Sequence, residues 1–276
     1  MNNGREWLVF DSAFRYESTL GEQCVQTGAA MTENTEPRRE LWILGVKPGD
    51  GRENIISSYL ESGGYACRLE QLDNLEAGRP LGVVLDVSPF SDDGWGVLLA
   101  IKNSPATRDI PVLPVFLSQN GKVGGVFPVA GFFTLPIDEQ YLQDRLVVYG
   151  LTEEAETWDL QAMVVSRNGE ESLSRAVESL GFEVVKGYTG KEALALASIH
   201  PVYLVFCNQK LSDMSAFELQ ERLRLDPYSS NTPVFVLLKD VMKEGEKLAM
   251  SREIAHLVRK KQLSREEFMG FLRRRE

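Results

Sequence analysis

The sequence predicts an α/β protein built from two doubly wound domains, each a parallel five-stranded sheet with helices on both faces, preceded by a polar N-terminal extension. Three observations carry that expectation. The chain has 276 residues, 43% hydrophobic and 25% charged, an ordinary globular composition and more length than one average domain uses. Short apolar runs alternate with segments of helical period, as in a parallel sheet covered on both sides. The chain also repeats itself. Gly82-Val83-Val84-Leu85-Asp86 and Tyr203-Leu204-Val205-Phe206-Cys207-Asn208 are apolar runs ending in a small polar residue, and each is followed at the same distance by an aromatic that opens a helix, Trp95 or Phe217. Ile110-Pro111-Val112-Leu113 matches Thr232-Pro233-Val234-Phe235 at the same offset of 122 positions.

Taken in order, residues 1–39 fall outside the repeat and are polar enough to form a largely flexible extension, with Glu6-Trp7-Leu8-Val9-Phe10 as a strand-like exception. The first copy, 40–150, offers strands at 41–46, 65–69, 82–86, 112–117 and 131–135, with helices near 51–62, 94–103 and 138–149. Residues 119–130 contain three glycines and a proline where a further helix would fall, so they read as a loop. Residues 151–160 are short and acidic and serve as the linker. The second copy, 161–276, offers strands at 162–166, 182–186, 202–207, 234–238 and 255–259, with helices near 169–180, 190–198, 215–225, 242–252 and 264–274. Five such units per copy make each domain flavodoxin-like, with ligands expected at the carboxyl ends of the strands.

Composition excludes several classes. The polar start is not a signal peptide and no run is long enough to span a bilayer, so a cytoplasmic protein without membrane insertion is expected. Cys24, Cys67 and Cys207 form no CxxC pair, and with only His200 and His256 available a metal centre is not expected. Both histidines read as structural, His256 within a strand. A net charge of −10 argues against nucleic acid. The charge is uneven: residues 239–276 hold 11 Lys and Arg against 7 Asp and Glu. No GxGxxG or GxxxxGK[ST] supports nucleotide binding, and Gly49-Asp50-Gly51-Arg52 reads as a turn opening a helix.

Asn208-Gln209-Lys210-Leu211-Ser212-Asp213-Met214-Ser215-Ala216-Phe217-Glu218-Leu219, and Asp86-Val87-Ser88-Pro89-Phe90-Ser91-Asp92-Asp93-Gly94-Trp95 in the first copy, resemble the loop after the third strand of response-regulator receiver (CheY-like) domains. The resemblance covers about residues 40–276. It implies a phosphoacceptor Asp at that strand end, two acids after the first strand that hold Mg²⁺ with it, a hydroxyl ending the fourth strand and a lysine ending the fifth.

Most of these parts are replaced. In the first copy Asp86 keeps the acceptor position, but Lys47 and Pro48 stand for the acidic pair, with Asp50, Asp92 or Asp93 as the nearest substitutes. Phe116 takes the hydroxyl position unless a bulge brings Ser118 there, and Leu135 stands for the lysine. In this arrangement Asp86 caps a loop or pairs with Lys47. In the second copy Ser166 and Arg167 replace the acids, Asn208 the acceptor and Leu238 the hydroxyl, and Lys260 retains the lysine. An amide forms no acyl phosphate, and Lys260 with Arg167 leaves that pocket electropositive.

The expectation is a tandem of degenerate receivers, or pseudo-receivers, in a two-component-type pathway. They are not enzymes, have no cofactor, and act by contact with other signalling proteins or a second copy of the chain. One alternative is a response regulator phosphorylated on Asp86 through a rearranged Mg²⁺ site. Another is the regulatory part of a longer protein whose output domain lies elsewhere.

Overall fold

The computed structural model of the chain describes residues 40–49, 51–120, 122–152, 159–258 and 264–270. The N-terminal extension, Asp50, linker residues 153–158 and Lys260 lie outside them.

In the first unit, β1 (Glu40–Leu44), β2 (Ala66–Leu69), β3 (Gly82–Asp86), β4 (Val112–Leu117) and β5 (Val123–Val126) lie in the order β2-β1-β3-β4-β5. This is the flavodoxin-like order. The first four strands are parallel and β5 runs antiparallel to β4. β3 and β4 are buried along their whole length, as unbroken apolar runs between two helical layers must be. Helices α1 (Arg52–Ser62), α2 (Leu75–Gly78) and α3 (Gly94–Asn103) connect them. At the end of α3, buried Lys102 donates from Nζ to the carbonyls of Arg108 and Ile110, fixing the path into β4. β5 corrects the loop expected over 119–130. The hydroxyl and backbone N–H of Ser118 both donate to the carbonyl of Lys122, folding the chain into a hairpin that returns along β4.

The second unit holds β6 (Gly131–Leu135), β7 (Gln161–Val165), β8 (Glu183–Gly187), β9 (Val202–Asn208) and β10 (Val234–Lys239) in the order β6-β10-β9-β7-β8, all parallel. From β8 this is the same flavodoxin-like order, with β6 in fifth place. Its helices are α4 (Glu139–Val148), α5 (Glu171–Glu178), α6 (Gly190–Ile199), α7 (Ala216–Leu223) and α8 (Glu244–Val258).

Two expectations are corrected here. Residues 131–135 are a strand, but they pair with β10, from Phe235 opposite Gly131 to Lys239 opposite Leu135. Burial accounts for the choice: the Phe133 ring lies 5.6 Å from that of Phe235 and 6.1 Å from that of Phe206, and Leu142 and Leu146 of α4 join the same core. Of the strand expected at 255–259, residues 255–258 are instead the last turn of α8, with His256 in it, and Arg259 lies outside the described residues; Met250 and Ile254, four apart, bury one helical face.

The chain therefore divides at Val129 rather than at 150. Val129–Leu257 form one compact unit, while the described residues through Pro128 join Val258 and α9 (Arg265–Gly270) in the other. The second unit is a flavodoxin-like fold with its fifth strand and helix placed first in sequence, inserted before the last helix of the first unit. Among the described residues no helix is long and apolar enough to cross a membrane.

Candidate functional site

In both units the candidate site lies where the central strand ends. In the first, Asp86 closes β3 and is fully buried. The chain crowds its backbone: a Cβ on Gly94 would sit 1.9 Å from the Asp86 carbonyl oxygen, and one on Gly45, whose φ is +76°, 2.6 Å from it. Glycine is required at both positions.

The carboxylate is fully engaged. Oδ1 accepts from the backbone N–H groups of Ser88 at 3.0 Å and Leu117 at 3.2 Å, and Oδ2 accepts from the Ser88 hydroxyl at 3.0 Å and from Arg52 Nη1 at 2.9 Å. These four donors match what two carboxylate oxygens can accept. Arg52 is itself buried and donates from Nη2 to the Phe90 carbonyl at 2.7 Å, which ties α1 to the loop after β3. Burial pushes the Asp86 carboxyl up to about 6, against the pull of Ser88, Leu117 and Arg52.

The expected pocket residues fall elsewhere. Lys47 and Pro48 are exposed, and the pairing partner of Asp86 is Arg52 in place of Lys47. Phe116 is buried. A register shift does occur at Phe116 and Leu117, but the Ser118 hydroxyl turns to Asn120 and Lys122; the backbone N–H of Leu117 reaches Asp86 in its stead. Leu135 belongs to the other sheet. Asp93 caps α3 through Gly96 N–H, and Asp92 is exposed. Asp50 lies outside the described residues.

This donor set does not fit the Mg²⁺ that receiver chemistry implies, because a guanidinium occupies the oxygen a divalent ion would need. Among the described residues no group of three His, Cys, Asp or Glu is placed to hold a metal.

In the second unit Asn208 ends β9. Its Nδ2 donates to the Ser166 hydroxyl at 2.8 Å and to Glu170 Oε1 at 3.3 Å; Ser166 in turn donates to Glu170 at 3.1 Å and accepts from the Asn168 backbone. Ser166 and Leu238 are buried and Arg167 is exposed. Asn208 Oδ1 is buried with no partner. Lys260 lies outside the described residues, and the fifth-strand end of this sheet is Leu135, opposite Lys239. Of the two cations expected here Arg167 is exposed, and next to the amide stands the carboxylate of Glu170.

Arg52 and Glu170 are the residues that motif spacing misses. Arg52 opens α1 and Glu170 stands just before α5, each a few positions beyond the expected acids. The available signal was a charged residue at a helix start following a glycine turn.

The class of protein is set by the two strand orders: α/β, with two flavodoxin-like units. No family model and no curated protein matches the chain. Solved structures similar to it include receiver domains. A response regulator receiver protein from Pseudomonas putida shows 15% identity over 42% of this chain and 97% of its own, TM-score 0.29. A CheY-like receiver domain from Methylobacillus flagellatus shows 23% over 42% and 97%, TM-score 0.27. A probable two-component system response regulator/GGDEF domain protein shows 13% over 85% and 100%, TM-score 0.29.

Proposed function

We propose that the chain is a non-enzymatic signal-transduction protein whose two receiver-type units act through contacts with other proteins, with neither Mg²⁺ nor phosphorylation at Asp86. The observation that carries this reading is the Arg52–Asp86 pair. An acyl phosphate forms only if a carboxylate oxygen meets a phosphorus centre with its charge offset by a metal. Here Oδ2 carries a buried guanidinium at 2.9 Å, and both oxygens are saturated by donors. The charge that Mg²⁺ would balance is balanced by the protein itself. In the second unit an amide takes the acceptor position, so both units are left to act by surface.

The test is incubation of the full chain with Mg²⁺ and acetyl phosphate, read by intact mass, and with Mg²⁺ and beryllofluoride, read by amide chemical shifts. Neither a mass gain nor a shift is expected. A Mg²⁺-dependent change present in the wild type and lost in Asp86→Asn would overturn the proposal in favour of a phosphorylated response regulator.

A further inference from the structure

The first unit is completed by a helix from far along the sequence. α9 packs on α1 and buries Phe268 completely, among Leu41, Ile56, Leu60 and Leu117, with its ring edge-on to Tyr59 at 5.4 Å between centroids. The helix is pre-shaped for this seat. Ser264 and Glu267 form a reciprocal capping box, the Ser264 backbone N–H donating to the Glu267 carboxylate at 2.7 Å and the Glu267 N–H to the Ser264 hydroxyl at 3.1 Å. Most of a helix's stability in a folded chain comes from packing its apolar face, and Phe268 gives α9 that packing in the seat it fills.

The approach to the seat is also cleared. Cβ atoms on Gly124 and Gly125 of β5 would each stand 2.6 Å from a methyl of Val258, a stiff β-branched side chain. The seat is built by residues no later than Val126, whereas its occupant arrives more than 130 residues afterwards. That is the anatomy of a helix laid in a groove by one aromatic anchor, differing from a bimolecular complex only in the tether.

We infer that the α1 face of the first unit is a helix-docking groove occupied in cis by α9, and that the same helix from a second copy of the chain is a competent occupant when the cis helix is displaced. The inference rests on packing and is independent of whether Asp86 is phosphorylated.

The probe is a fluorescent peptide of residues 262–276, titrated onto the full chain. Phe268→Ala in the full chain removes the cis anchor and should raise affinity for the wild-type peptide by about tenfold or more over the wild-type chain. The peptide carrying the same substitution should bind neither. Ser264→Ala with Glu267→Ala weakens the cis helix while leaving the core intact, and should give a smaller gain, about threefold. Equal binding to the wild type and both variants, or binding to none of them, overturns the inference. A second readout guards against misfolding: amide exchange in α1 should accelerate in Phe268→Ala and slow again on adding wild-type peptide. Protection of α1 that ignores both the substitution and the peptide also overturns it.

Discussion

The ends of β3 and β9 are one position in two copies, and their side chains are held by partners of opposite charge. Asp86 keeps its charge carrier and takes a cation from the start of α1, Arg52. Asn208 gives up the charge and takes an anion from the corresponding place, Glu170. In each case the side chain at the strand end is held by the helix that opens beside it. What differs is the cost of removing the partner: the first unit holds a buried ion pair, the second an amide and hydroxyl bonded to one carboxylate, with one amide carbonyl oxygen unbonded.

The largest effect should come from breaking the ion pair. Arg52→Met leaves Asp86 buried without its counter-charge and should destabilise the first unit by about 3 kcal/mol at neutral pH. Urea unfolding followed by the fluorescence of Trp42 and Trp95 measures it; a loss under about 1 kcal/mol would show that the pair does not hold the pocket.

The pH dependence sharpens the same contrast. The Asp86 carboxyl stands at about 6 in the folded chain against 3.8 ordinarily, so the folded state holds an extra proton between these values. Its contribution to stability is full below about 4 and is lost as pH rises through 6. The wild type should therefore lose on the order of 3 kcal/mol relative to Asp86→Asn across that window. Parallel pH profiles of the two proteins would remove the basis for this assignment.

The smallest of the three is Asn208→Asp. It replaces a donor to Ser166 and Glu170 by a second carboxylate, and should cost about 2 kcal/mol in the second unit. Adding Glu170→Arg rebuilds the first unit's arrangement and should recover most of it. If the double variant is no better than the single one, the equivalence of the two pockets fails.

Nine of the ten described strands were legible, as were the polar strand ends at Asp86 and Asn208, because apolar runs and the residues that end them are local properties. Lys47, Pro48 and Arg167 stand plainly in the sequence where the resemblance expects acids. The sheet to which 131–135 belongs was not legible: Gly-Phe-Phe-Thr-Leu says strand and says nothing of its neighbour. Only the packing of Phe133 against Phe206 and Phe235 decides it. Ala255-His256-Leu257-Val258 reads as a strand in isolation, yet it continues the helical period begun at Glu244, and the longer element wins. Val123–Val126 was hidden by its glycines, which disfavour a helix but suit a strand crowded by Val258. Arg52 was in view as part of a turn; its role needed the fold that sets α1 beside β3.

The insertion has a consequence for how the protein is made. Synthesis runs from the N-terminus, so β1 to β5 leave the ribosome first, while the Phe268 that completes their core follows 140 residues after Pro128. At about 5–20 residues per second, that five-stranded sheet waits roughly 7–28 seconds without the helix that covers its α1 face. The second unit, contiguous from Val129 to Leu257, has all of its own strands before then. The later-encoded unit is thus complete first, and the earlier one spends the interval as an aggregation-prone intermediate that a cell making this chain must shelter.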